Sequence, residues 1–150
     1  MSQYLLLKQG TIHNAVDEEA FVADILIEDG KIKKIAPVLE GKVINEAAVI
    51  DAMGIDVYPG FVDAHCHLGL DGYAVGFAGQ DFNELGDPVT PQLSAIDAIN
   101  PQDETFRMAR EGGVTCVSTG PGSSNVIGGT FCNIKTYGNR VDDMIVREKS

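Results

Sequence analysis

The sequence changes character at Tyr58-Pro59-Gly60, and that break limits what the chain can fold into. Before it, short apolar runs alternate with turn residues, the pattern of a small sheet of paired strands. After it, Phe61-Val62-Asp63-Ala64-His65-Cys66-His67-Leu68 reads as a buried strand. A long loop, a helix, a strand, a loop and a further strand follow. That order is the opening of a parallel α/β architecture. Two parts are therefore expected, residues 1–58 and 59–150.

In the first part, residues 4–8 form an apolar run with a polar tail. Asp24-Ile25-Leu26-Ile27-Glu28 and Lys31-Ile32-Lys33-Lys34-Ile35 flank Asp29-Gly30. A type I′ turn needs positive φ at both central residues, which Asp-Gly supplies, so a hairpin is predicted here. Residues 42–44 and 49–51 are predicted as further short strands, punctuated by Pro37 and Gly41. The sheet is expected to be mainly antiparallel.

In the second part, residues 69–90 are glycine-rich and weakly periodic. A loop of that length is uncommon in a compact domain unless it serves as a lid or binding loop. Leu93, Ile96 and Ile99 predict one or two helical turns within 91–100. A helix is predicted over 102–110: Asp103 and Glu104 lie in its first turn, Arg107 and Arg110 in its last, and Gly112-Gly113 ends it. Residues 114–119 are β-branched and continuous, as in a strand covered on both faces. Residues 120–129 read as a loop and 130–137 as a strand.

His65-Cys66-His67 carries the chemistry. Alternate side chains of a strand share a face, so His65 and His67 point one way and Cys66 the other. Two imidazoles about 6–7 Å apart along a strand can converge on one metal ion. The bland reading is that both rings are hydrogen-bonded or that the strand end is exposed. Position favours the metal, since the pair ends a strand ahead of a long glycine-rich loop, where parallel α/β barrels build their active sites. Asp63 shares the face of His65 and is a candidate to hold a ligand histidine from behind, or to serve at the strand end. Gln80 and Asp81, with Tyr73 and Phe77, are candidates for substrate contact from the long loop, or they anchor that loop. Cys66 is assigned to packing, and residues 120–124 to a turn at the rim of the site.

The net charge of −11 argues against nucleic acid or an anionic membrane surface as a partner, because phosphates repel such a chain. Lys31, Lys33 and Lys34 form a lone cationic cluster on a solvated hairpin face. No stretch reaches the roughly 20 apolar residues a membrane span needs, and residues 1–7 carry no basic n-region or small-residue cleavage site, so no secretory signal is expected there. Cys66, Cys116 and Cys132 are odd in number and form no CxxC pair, which fits reduced thiols in a cytoplasm.

Pro59-Gly60-Phe61-Val62-Asp63-Ala64-His65-Cys66-His67 resembles the PGFxDxHxH signature of the amidohydrolase superfamily, where it forms the first barrel strand. Ile27-Glu28-Asp29-Gly30-Lys31-Ile32 with Ile35 resembles a segment of that superfamily's N-terminal sheet. Gly112-Gly113-Val114-Thr115-Cys116-Val117 resembles its entry to the second strand. Residues 114–137, with Thr119-Gly120-Pro121-Gly122-Ser123 and Gly128-Gly129, are most similar to the imidazolonepropionase-related branch.

This resemblance implies a (β/α)₈ TIM barrel flanked by a mainly antiparallel, β-sandwich-like domain built from both chain ends. The barrel is expected to be incomplete in this chain, because one needs about 250 residues. His65 and His67 correspond to the first-strand ligands of a divalent metal, zinc foremost, with manganese or iron as alternatives. The general-base aspartate and remaining ligands are expected outside this chain. The implied activity is hydrolysis of an amide or other C–N bond by metal-activated water, on a small amide, cyclic amide or dipeptide-like substrate. The isolated chain is expected to be inactive, and to form a homo-oligomer or associate with the rest of the barrel. A non-catalytic amidohydrolase-like scaffold or interaction module is the alternative, disfavoured by the two intact histidines.

Overall fold

The computed structural model describes residues 3–73 and 75–149. They fall into two units, one ending at Pro59 and the other beginning at Gly60.

In the first unit β1 (Tyr4–Ile12) pairs antiparallel with β2 (Phe21–Glu28), and β2 with β3 (Lys31–Ala36). Asp29 and Gly30 between β2 and β3 have φ of 50° and 77°, the conformation a type I′ turn demands. Residues 42–44 are not a strand. They lie in the helical turn α1 (Lys42–Asn45), which brings Ile44 and Ala47, three residues apart, against the buried cluster Leu6, Leu26 and Leu39. An extended run would turn such a pair to opposite faces. The chain then returns along β1, so β4 (Ala48–Asp51) and β5 (Asp56–Val57) both pair with β1 in parallel. The result is one mixed sheet, ordered β3-β2-β1-β4 with β5 also on β1, rather than a mainly antiparallel one.

Asp24 is the polar anchor of this unit. It is fully buried; its Oδ1 accepts from Gln9 N–H (2.9 Å) and Gln9 Nε2 (3.1 Å), and its Oδ2 accepts from Leu39 N–H (2.9 Å). Gln9 sits at φ 58°, at the bulge where the β1–β2 register slips between Leu7 and Gly10. Burial pushes the Asp24 carboxyl up. The Leu39 and Gln9 donors, with Lys8 nearby, outweigh burial and hold it below its ordinary value of 3.8.

The second unit is a sheet ordered β6-β7-β8-β9. β6 (Phe61–Cys66) and β7 (Val114–Thr119) are parallel, joined by the long loop and helix α2 (Glu104–Glu111). The Asp103 carboxylate caps α2 by accepting from Thr105 N–H at 2.9 Å, and Gly113, at φ 85°, follows its end. Phe106 of α2 is buried with Leu70, Ala95, Ile99, Val117 and Ile134. The helical turn expected within 91–100 is a 3₁₀ turn, Ala95–Asp97. Two sequence expectations are corrected. First, β8 (Cys132–Lys135) pairs antiparallel with β7, and β9 (Ile145–Arg147), which follows the turn α3 (Val141–Met144), pairs antiparallel with β8. The loop after β7 doubles back without a crossover helix, so β8 returns beside the strand it leaves. Second, β6 is not buried: Phe61 is 55% and Val62 68% exposed, because β6 stands at the end of this sheet with β7 on one side. Among the described residues no helix is long and apolar enough to cross a membrane.

Replacing Asp24 by Asn leaves one acceptor for three N–H donors and should cost about 1–3 kcal/mol in urea denaturation at neutral pH. Since its folded pKa is lowered, the stabilisation is present in full above about 3.8 and fades as pH falls through the lower folded value. Wild type and variant should therefore converge in acid. Equal midpoints at neutral pH would show that the network contributes nothing.

Candidate functional site

Parallel pairing places the C-terminal ends of β6 and β7 side by side. The register advances from Asp63↔Val117 to Cys66↔Thr119, three residues on β6 against two on β7. A bulge therefore covers Ala64 and His65. His65 sits on this bulge and is exposed; His67 is the first residue after the strand and is half-buried. Their ring centroids are 5.5 Å apart, at an interplanar angle of 79°. Cys66 between them packs against the buried core.

The His67 ring is held on its inner side. Its Nδ1 lies 2.6 Å from the Gly120 carbonyl. A carbonyl only accepts, so Nδ1 is the donor, and in the neutral ring this leaves the lone pair on Nε2. Two further bonds pin this junction: Gly120 N–H donates to Cys66 O at 3.2 Å, and Thr119 Oγ1 donates to Leu68 O at 2.8 Å. Phe82 stacks on His67 at 5.0 Å and 13°. Phe131 lies 4.9 Å from His65 and 6.4 Å from His67. The residues 120–122 allow this crowding. A Cβ on Gly120 would collide with the Phe131 ring, and one on Gly122 with Asn83 and Phe82, while Gly122 N–H donates to Phe82 O at 2.5 Å.

The other sequence candidates are placed differently. Asp63 is exposed and its carboxylate accepts from His65 N–H at 3.1 Å, so it braces the bulged backbone. Gln80 and Asp81 are exposed; Asp81 N–H donates to Leu70 O at 2.9 Å. Asp81 also lines a cavity of about 260 Å³ with Glu84, Ser94, Asp97 and Phe82, the ring that stacks on His67. Tyr73 and Phe77 are exposed. His13 bonds Asp56 at 2.8 Å and stacks on Tyr58 in the first unit. The sequence reading missed Phe82 and Phe131, the two rings flanking the histidines. Phe82 directly follows Asp81, and the Gly120-Pro121-Gly122 run that both phenyl rings press upon was the available signal.

Chemically, the site offers two imidazoles on one side of a strand end, one of them anchored through Nδ1 to a carbonyl. Such nitrogens suit zinc, manganese or iron. Among the described residues, no group of three or more His, Cys, Asp or Glu side chains is placed to hold a metal. The thiols of Cys66 and Cys132 are unsuited to attack at neutral pH: burial pushes Cys66 up, and burial pushes Cys132 up to about 11.

No family model matches the chain. The amidohydrolase tasK of Hapsidospora irregularis is 35% identical over 116 residues, covering 77% of this chain and 12% of that protein. The D-hydantoinase of Geobacillus stearothermophilus is 46% identical over 67 residues, covering 43% of this chain and 13% of that protein. The dihydroorotase of Caldicellulosiruptor saccharolyticus is 42% identical over 69 residues, covering 46% and 16%. The crystal structure of an amidohydrolase from Thermotoga maritima MSB8 matches 97% of this chain with a TM-score of 0.86 and 39% identity. A chain with these relatives is of the amidohydrolase-superfamily class. More narrowly, its homologues are an amidohydrolase, dihydroorotases and a hydantoinase. It spans 12–16% of the length of these curated relatives and 37% of the Thermotoga chain.

Because the Cys132 thiol is raised to about 11 and fully buried, little thiolate exists at pH 8. Folded protein should leave Cys132 unlabelled by iodoacetamide at that pH, and urea should expose it. Labelling of Cys132 in the folded chain at the rate of a free thiol would contradict this packing.

Proposed function

We propose that the protein carrying this chain is a metal-dependent hydrolase of a C–N bond in a small amide, foremost a cyclic amide, with dipeptide-like amides as the broader class. The carrying observation is the pair of imidazoles, 5.5 Å apart at the C-terminal end of a parallel strand, with His67 presenting Nε2. Hydantoinase and dihydroorotase relatives support the cyclic substrate class.

In this proposal His65 and His67 hold a divalent ion, zinc foremost and manganese or iron as alternatives. When bound, such an ion lowers the pKa of water toward neutrality and polarises a carbonyl. The chain's own part is positional. Gly120 O orients His67, Asp63 braces the bulge under His65, and Phe82 and Phe131 keep water from the imidazole flanks. Gln80 and Asp81 remain proposed loop contacts to substrate, Asp81 through the adjoining cavity.

A catalytic zinc takes about three protein ligands, so further donors and a general-base aspartate are proposed to lie outside this chain. The 150-residue chain alone is then proposed to bind the ion without turnover. We further propose β6 and β7 as the first strands of a (β/α)₈ barrel and residues 1–58 as part of a composite β-sandwich. The exposed flank of β6 supports association with the rest of the barrel or with another copy. A cytoplasmic setting is supported by three free cysteines. Placement in the imidazolonepropionase-related branch rests on the resemblance of residues 114–137 alone.

The test is zinc titration of the chain by calorimetry, with assays for opening of hydantoin and dihydroorotate by the full-length protein. About one equivalent should bind, and His65→Ala and His67→Ala should each weaken it by more than the roughly 10- to 100-fold that follows loss of a supporting contact. Unchanged zinc affinity in the double variant would remove the proposal.

A further inference from the structure

The crowding between the β7 end and Phe131 has a chemical consequence for His67. We propose that Gly120 and Phe131 are positioning residues that fix the tautomer and aim of the His67 ring; the inference deepens the metal reading above and rests on it for its significance.

The geometry is a stack of constraints around one carbonyl. Gly120 O receives the His67 Nδ1 proton at 2.6 Å. On one side of that carbonyl, Gly120 N–H and Thr119 Oγ1 are bonded to the carbonyls of Cys66 and Leu68. On the other, the Phe131 ring lies where a Gly120 side chain would be. Gly120 takes no left-handed φ, so its lack of a side chain matters for space and not for backbone freedom. Phe131 in turn abuts both imidazoles, at 4.9 Å and 6.4 Å. Moving the phenyl ring therefore releases the carbonyl and the imidazole flank together. A neutral imidazole in water exchanges its proton between the two nitrogens. A short bond from Nδ1 to a fixed carbonyl selects one form and leaves Nε2 as the donor atom.

Gly120→Ala inserts a methyl group into the Phe131 ring, and Phe131→Leu removes the ring while keeping an apolar residue. Phe131→Tyr keeps the ring. Long-range ¹⁵N–¹H correlation spectra of the imidazoles report the tautomer directly, without a metal. Wild type and Phe131→Tyr should show His67 as the Nδ1–H form alone. Gly120→Ala and Phe131→Leu should show a mixture while their amide spectra remain dispersed. His13, bonded to Asp56 in the other unit, should not change in any of them. The two disruptive variants should also bind zinc roughly 10- to 100-fold more weakly. An Nε2–H tautomer in the wild type, or an unchanged Nδ1–H form in both folded disruptive variants, overturns the proposal. Failure of the wild type to bind zinc counts instead against the metal reading, because the tautomer result stands without it.

Discussion

The site depends on the parallel pairing of β6 with β7. Because both strands run the same way, the residues leaving β7 emerge beside the residues leaving β6. Thr119 and Gly120 can then bond Cys66, His67 and Leu68 across the junction. An antiparallel neighbour would bring the start of a strand to that place, and not the residues that leave its end. The bulge at Ala64–His65 completes the arrangement by bringing the His65 ring up to the ring of His67.

Each unit is organised around a polar group that the surrounding apolar residues alone would not fix. In the first, the Asp24 carboxylate gathers the β1 bulge and the segment after β3 through three N–H donors. In the second, Thr119 and Gly120 tie the ends of two strands and an imidazole together: Gly120 N–H and Thr119 Oγ1 donate to the carbonyls of Cys66 and Leu68, and Gly120 O accepts from His67. Both are satisfied networks, and no buried side-chain nitrogen or oxygen among the described residues lacks a partner. Satisfied buried networks specify one arrangement where apolar packing tolerates several.

What the sequence made legible was local. Asp29-Gly30 announces its turn because positive φ at two successive residues is a property of those residues. The C-terminal end of α2 is announced by Gly112-Gly113, with Gly113 at φ 85°; its start falls two residues later than predicted, because Asp103 caps the helix from outside and does not lie in its first turn. Residues 42–44 misled because a three-residue apolar run carries no period that separates strand from helical turn. The direction of β8 was illegible, since it depends on the path of the loop before it. The apolar run of β6 marks a surface that favours cover, but exposure depends on neighbours that no local pattern encodes. The HxH spacing identified the pair of rings. Phe82 and Phe131 meet those rings only through the fold; the Gly120-Pro121-Gly122 run marks the space they fill without saying which side chains fill it.

The most direct measurement of the central claim is X-ray absorption at the zinc edge on the zinc-loaded chain. Two imidazole nitrogens at about 2.0–2.1 Å are expected in the first coordination sphere, and one fewer after substitution of either His65 or His67. A spectrum of oxygen ligands alone, indifferent to both substitutions, would contradict the assignment of these histidines to a metal.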